Sequence, residues 1–400
     1  MRERYWHFRI RVNNLLIGWL QKVKIRNHQT MKNIAPLFVF LIVSCTPSSE
    51  ESASPLDILD QRFSEFFPGN EPGGAVLLAK NGEIIFSKGY GIADINTREP
   101  ITAKTLFNLG SVSKTFVSNA ILILEQRNVL LLDDELIKYF PQFRNQEIGS
   151  KVRIKHLLTH TSGLPDNRKV DEDTVYYLTA KDMENWAPEL EVDSLNFEPG
   201  TNFEYSNPAF NGLALIIEKT SGMKWQDFVI ENIMVPSGMS TSTITDGPHP
   251  ERGVSHGYER YLEEFVEDDY GEEPTFAASG NGGVWSSVEE LFLYESALGS
   301  AKFLSKEKIA DSRVAKKFGQ WNGEEPEYIG WSWFVMKTEE GLSMIGHTGS
   351  QGGFRANYQT IPEKGIFFVI LCNTPRDNFS EVLLDWLREN NWLDGIPTDN

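Results

Sequence analysis

The chain has 400 residues, 40% of them apolar, which is enough for one large domain or two ordinary ones and too apolar for a disordered chain. Eight of the 38 lysines and arginines, but only one of the 56 acids, precede Cys45, so the remainder carries a formal −25. Such a body repels a phosphate backbone and excludes nucleic acid as the expected partner, and the lack of an internal repeat excludes solenoids and propellers.

Residues 1–30 are basic and aromatic and precede a second methionine. They are expected to be an upstream extension outside the native chain, with Met31 as the true start. Residues 31–44 have a charged start, a short apolar run and a small residue before Cys45, the pattern of a signal peptide too short to span a bilayer comfortably. Ile42-Val43-Ser44-Cys45 resembles a bacterial lipobox. That resemblance implies export and membrane attachment through a lipidated Cys45, in the outer membrane or periplasm of a bacterial envelope. Residues 45–54 read as a polar tether, and the folded domain is expected over 55–395.

Pro55–Phe67 reads as a helix with Leu56, Ile58, Leu59 and Phe63 roughly on one face. Strands are expected at Gly74–Lys80 and Ile84–Tyr90, joined by Asn81-Gly82, a strong hairpin signal. A helix from about Ser111 to Gln126 follows Gly110, and another ends near His160. A third spans Pro208 to about Thr220 with Gly222 as its cap, and a fourth starts at a capping box in Ser286-Ser287-Val288-Glu289-Glu290. Glu259–Glu273 is rich in acids and reads as a solvated loop, which would favour cationic substrates if it rimmed a pocket. Trp331–Lys337, Leu342–His347, Phe354–Ile361 and Ile366–Asn373 read as short antiparallel strands before a closing helix, Phe379–Arg388. Cys372 lies in the last of these strands and reads as a small core residue without a disulfide to Cys45. Strands at both ends and helices between them fit an α+β fold. An antiparallel sheet is built from about 70–110 and 325–390, flanked by helices in three αβα layers, with a mainly helical insertion over 111–320.

Three short patterns carry chemistry. Ser-x-x-Lys occurs at Ser111/Lys114, Ser221/Lys224 and Ser305/Lys308, but only Ser111 follows a glycine and opens a strongly apolar helix. There the hydroxyl and amine share a helix face, N–H groups of the first turn point outward, and a desolvated lysine can act as the base that serine needs. Tyr205-Ser206-Asn207 is the only Tyr-x-Asn, set after a Pro199-Gly200 turn that would present the phenol at a loop tip. Ser194-Leu195-Asn196 lacks that context. His347-Thr348-Gly349 ends a predicted strand and precedes Ser350-Gln351-Gly352-Gly353, where glycines allow close approach to a ligand. His160-Thr161-Ser162-Gly163 looks similar but ends a helix and reads as structural. No HExxH appears and paired cysteine ligands are absent, so neither metal nor cofactor is expected, and the lack of Gly-x-Ser-x-Gly disfavours an α/β-hydrolase.

Taken together, Ser111-x-x-Lys114, Tyr205-x-Asn207 and His347-Thr348-Gly349 resemble the serine β-lactamase/penicillin-binding DD-peptidase superfamily, on its class C-like branch. The stretches Phe107–Phe116, His156–Leu164, Pro236–Met239 and Gly346–Gly349 extend the resemblance over about residues 70–375. It implies Ser111 as nucleophile, Lys114 as its base partner and Tyr205 as general base and then acid. It further implies Asn207 on the substrate amide, Thr348 and Gly349 lining the substrate, and the N–H groups of Ser111 and Ser350 as the oxyanion hole. Class C β-lactamases usually carry lysine at the position of His347, whereas some DD-peptidases of the superfamily and several esterase-like or D-amino-acid peptidase relatives carry histidine; a partly charged histidine weakens the hold on a substrate carboxylate. Arg355 would supply that contact instead or face solvent. The expected activity is acyl-enzyme hydrolysis of an amide or ester: a peptidoglycan stem peptide, a D-amino-acid peptide or a small ester. A catalytically weak module binding cell-wall fragments and a true class C-type β-lactamase stand as alternatives.

Overall fold

The computed structural model describes residues 53–169, 179–245, 250, 252–268, 279–319, 321–323 and 328–394. The upstream extension, the signal, Cys45 and most of the tether lie outside the described residues, as do 269–273 of the acidic run.

Helix α1 (Pro55–Phe66) starts where Ser54 and Asp57 form a reciprocal capping box with proline in the first turn. Strands β1 (Gly74–Lys80) and β2 (Glu83–Tyr90) form the expected hairpin, with Asn81 and Gly82 both at positive φ, +52° and +82°, as a tight two-residue turn requires. Near the chain's end, β8 (Phe334–Lys337), β9 (Ser343–Gln351), β10 (Phe354–Ile361) and β11 (Ile366–Cys372) complete a six-stranded sheet of order β2-β1-β11-β10-β9-β8. The pairing of β1 with β11 joins the two ends of the chain, Gly74 opposite Cys372 and Lys80 opposite Ile366. Buried Asn373 locks this seam: its side chain accepts from Gly73 N–H at 2.7 Å and donates to the Ile92 carbonyl at 3.0 Å.

β1 and β11 read as unbroken apolar runs because both their faces are covered. Val76, Leu78, Phe368, Ile370 and Cys372 pack with Leu59 and Phe63 of α1 and with Leu383 and Trp386 of the closing helix. Ala75, Leu77, Val369 and Leu371 pack on the other face in the core of the insertion. The three layers expected from the sequence are present.

Within the insertion, α2 (Ser113–Gln126) is buried on every side from Ser113 to Leu124, so it runs through the core. α4 (Asn207–Ser221) packs on it, α3 (Asp182–Leu190) packs on α4, and Tyr294 of α5 (Val288–Gly299) stacks on its Phe116. α4 ends as expected at left-handed Gly222. The start of α5 differs from its predicted capping box. Ser287 accepts from Glu290 N–H, but the Glu290 carboxylate turns to Thr241 and Ser242 N–H instead of reaching back. The insertion also holds strands: its β7 (Val284–Ser286) and β4 (Thr243–Ile244) form a small sheet with β3 (Phe107–Asn108), just before it. Part of the acidic run is a hairpin, β5 (Tyr258–Tyr261) and β6 (Glu264–Glu267), rather than a loop. The closing helix α6 (Glu381–Glu389) returns to α1 through a hydrogen bond from Trp386 Nε1 to the Pro55 carbonyl.

Candidate active site

Ser111 lies in a short 3₁₀ turn, Gly110–Val112, that leads straight into α2. The small sheet clamps this turn. Leu109 N–H donates to the Val284 carbonyl, Val284 N–H donates to Ser113 Oγ at 3.0 Å, and the Asn108 side chain accepts from Gly110 N–H at 2.8 Å. Lys114, one turn on, is fully buried and is the only ionisable side chain between Ser113 and Leu124. Its Nζ is 2.9 Å from Ser111 Oγ and 2.8 Å from the Asn281 carbonyl. The Tyr205 ring centroid lies 5.1 Å from the same nitrogen and that of Phe210 lies 5.7 Å away. Burial, reinforced by the Arg168 guanidinium, holds the amine well below the ordinary lysine range. In its neutral form the amine can take the serine's proton on its lone pair while one N–H stays on the Asn281 carbonyl.

Tyr205 is placed by the segment that read as structural. Gly200 N–H donates to the Thr161 carbonyl, Glu204 N–H to the His160 carbonyl, and Ser206 N–H to His160 Nδ1 at 2.9 Å. The His160 ring lies against the phenol ring with centroids 4.3 Å apart and planes 27° from parallel. His160 is buried, and burial together with Lys114 holds its pKa well below the ordinary value, so it stays neutral. It therefore fixes the phenol without adding charge. Asn207 follows at the first position of α4, half-buried, where Ser206 caps the helix by accepting from Ala209 N–H.

The third pattern does not end its strand. β9 continues through Ser350 to Gln351, because the pairing with β10 runs from Ile345 opposite Thr360 to Gln351 opposite Phe354. Glycine is required on both sides of the contact between β9 and the serine turn. A Cβ on Gly349 would fall 2.0 Å from the Leu109 carbonyl oxygen and 3.1 Å from Ser111 N, and one on Gly110 would fall 2.7 Å from Ser350 N. The backbone nitrogens of Ser111 and Ser350 thus belong to two segments in intimate contact. Thr348 and Ser350 are exposed, whereas Gly349 is buried in the contact.

Two expectations change. His347 is 1% exposed and donates from Nδ1 to the Thr348 carbonyl at 2.6 Å. Burial and the neighbouring Lys114 push it down to about 3, so it is neutral at physiological pH rather than partly charged. Arg355 does not join His347. In the sheet it pairs with Ser350 and Cys372, on the terminal-helix face, whereas His347 pairs with Tyr358 on the insertion face. Its Nη1 donates to the carbonyls of Gly352 and Phe354 at 2.8 and 2.7 Å.

Three contributors escaped sequence reasoning. The Asn281 carbonyl carries no residue-type signal. Arg168, buried and paired bidentately with Asp166, sits in a loop without pattern. His160 matched a short motif but was legible only as a turn.

Residues 59–390 match the protein-family model described as Beta-lactamase. The chain belongs to this family. Penicillin-binding protein 4* of Bacillus subtilis (strain 168) is 30% identical over 303 residues, 70% of this chain and 63% of that protein. Protein flp of Staphylococcus aureus (strain MW2) is 30% identical over 193 residues, 48% of this chain and 38% of its own length. The chain thus spans less than two thirds of the length of these curated relatives. Among solved structures, the octameric penicillin-binding protein homologue from Pyrococcus abyssi superposes with TM-score 0.71 at 26% identity, over 84% of this chain and 76% of that one. The D-amino acid amidase from Ochrobactrum anthropi SV3, complexed with L-phenylalanine amide, shares the family's fold with TM-score 0.69 at 20% identity, over 84% and 98%.

Proposed function

We propose that this family member is a serine hydrolase that forms an acyl-enzyme on Ser111 and acts on amides or esters that need not carry a carboxylate beside the scissile bond. D-amino-acid amides, D-peptides and small esters fit this description. Neutral Lys114 or the Tyr205 phenolate takes the hydroxyl proton as Ser111 Oγ attacks the carbonyl carbon. The resulting oxyanion is received by the N–H groups of Ser111 and Ser350. Tyr205 delivers a proton to the departing amine or alcohol, either the one it took or its own, which protonated Lys114 then replaces; Asn207 holds the acyl amide, and water releases the acid by the same steps in reverse order.

The observation that carries the substrate class is the neutral, buried state of His347 where a carboxylate receptor needs a fixed cation. Two further features agree. Arg355 is turned to the other face, and the acidic β5–β6 hairpin is rooted where a Cβ on Gly353 would meet Tyr258 N, close to the end of β9. Negative charge at that edge favours substrates with a free ammonium group. The signal and lipobox support export and anchoring through Cys45; a mature N-terminus other than acylated Cys45 overturns that part.

A screen of D-amino-acid amides, D-dipeptides, esters and β-lactams tests the substrate class. Turnover of amides or esters is expected to exceed that of β-lactams and of peptides cleaved beside a terminal carboxylate; the reverse order overturns it. His347→Lys adds an arm. A second ammonium beside Lys114 lowers that amine's pKa further, so the acidic limb of the pH–rate profile moves to lower pH and KM falls for carboxylate-bearing substrates. An unchanged profile shows that this position does not set the charge of the site.

A further inference from the structure

We propose that Asp182 is a positioning residue for this reaction: it anchors the 279–282 turn so that the Asn281 carbonyl holds Lys114 on Ser111. The inference rests on the acyl-serine reading above.

Asp182 begins α3 and is buried. Its Oδ1 accepts from Gly280 N–H and from Asn211 Nδ2, both at 2.8 Å, and its Oδ2 accepts from Trp225 Nε1 at 2.7 Å. The next residue after Gly280 supplies the carbonyl that receives Lys114 Nζ at 2.8 Å. The turn between them is tight: Gly282 N–H donates to the Ser279 carbonyl at 3.0 Å. Gly280 also lies directly on α4, where a Cβ would fall 2.5 Å from the Phe210 carbonyl oxygen and 2.7 Å from Ala214 Cβ. One carboxylate therefore joins the turn that orients the lysine to the helix that follows Tyr205-Ser206-Asn207. A path of three hydrogen bonds and one peptide unit connects it to the nucleophile.

Packing alone does not call for an acid here. Burial pushes the Asp182 carboxyl up to about 7, with Glu218 adding to the rise, against the lowering by its three donors. A leucine would fill the space without that desolvation cost, but it could not fix a backbone N–H.

The test uses the full chain, a fluorophosphonate probe and thermal melting. Asp182→Leu fills the space but accepts from none of the three donors, Gly280 N–H included. It is expected to lower the acylation rate constant by about tenfold or more while probe affinity stays within about twofold, and to move the acidic limb of the acylation profile. Trp225→Phe removes a hydrogen bond to the same carboxylate but leaves Gly280 bonded. It is expected to lower Tm and keep the acylation rate. Gly280→Ala, with Asp182 intact, is expected to reproduce the rate loss. Asp182→Leu behaving like Trp225→Phe, stability lost and rate and profile kept, overturns the proposal. If Asp182→Leu does not fold, Gly280→Ala decides, and a wild-type rate in that variant overturns it. Failure of the wild-type chain to label at all overturns the acyl-serine reading along with this one, whereas labelling at Ser111 confines any failure to Asp182.

Discussion

Lys114→Met is expected to reduce kcat/KM by about 10²–10⁴, or about 3–5 kcal/mol of transition-state stabilisation, with the fold intact. The expectation follows from where the amine sits. Its nitrogen is 2.9 Å from Ser111 Oγ, it is fully buried, and burial makes the neutral form accessible. Methionine fills nearly the same volume without a buried charge, so folding does not suffer for lack of packing. Lys114→Arg fixes a positive charge and removes the chemistry, because a guanidinium cannot lose its proton in a protein. It should be as inactive as the methionine variant. The sign of the pH dependence follows from the same cause. The lysine serves as a base only when neutral, and its folded pKa is depressed. The rate therefore rises as pH increases through that lowered pKa, and is lost as pH falls below it. A profile still rising steeply in the ordinary lysine range would show that burial does not activate the amine. Steady-state kinetics across pH on wild type and both variants checks all three statements.

Gly349→Ala is expected to cost about 10²–10³ in kcat with a smaller effect on stability. One methyl group there would fall 2.0 Å from the Leu109 carbonyl oxygen, a backbone atom that cannot swing away. To make room, β9 must move off the serine turn, which pulls the Ser350 backbone away from that of Ser111 and, on the proposed mechanism, separates the two oxyanion donors. Losing one such donor costs about 3–4 kcal/mol in related acyl-transfer chemistry. Gly69→Ala is the control, since nothing lies within 4 Å of its new Cβ and its backbone is not left-handed. A Gly349→Ala enzyme with wild-type kcat would show that strand and turn are not the paired donors.

These expectations combine features that the sequence displays with features that it hides. The terminal strands were legible because β1 and β11 are covered on both faces and so read as uninterrupted apolar runs, and because Asn81-Gly82 permits the left-handed turn that joins β1 to β2. Ser111 and Lys114 were legible because a helix brings residues three apart to one face, a local rule that needs no tertiary knowledge. The face taken by Arg355 was not legible. It depends on the register between β9, β10 and β11, and side chains alternate so strictly that a one-residue difference reverses the answer. The charge of His347 was not legible for a related reason. A histidine's pKa follows its burial, and His347 is buried because its side chain takes the insertion face of the sheet, paired with Tyr358 and against the Phe334 ring. The Glu290 carboxylate found better donors in the Thr241–Ser242 backbone, which local helix-start chemistry cannot anticipate. The Asn281 carbonyl is the extreme case: every residue has such a group, and only the fold says which one meets Lys114.

The account stands on one bond-forming atom, Ser111 Oγ. Peptide mapping by mass spectrometry after reaction with a fluorophosphonate tests it most directly. The adduct mass is expected on the peptide containing Ser111, and is expected to vanish in Ser111→Ala while that variant keeps the wild-type Tm. An adduct on Ser221, Ser305 or any other side chain, or labelling undiminished in Ser111→Ala, would contradict the assignment of this serine as the nucleophile.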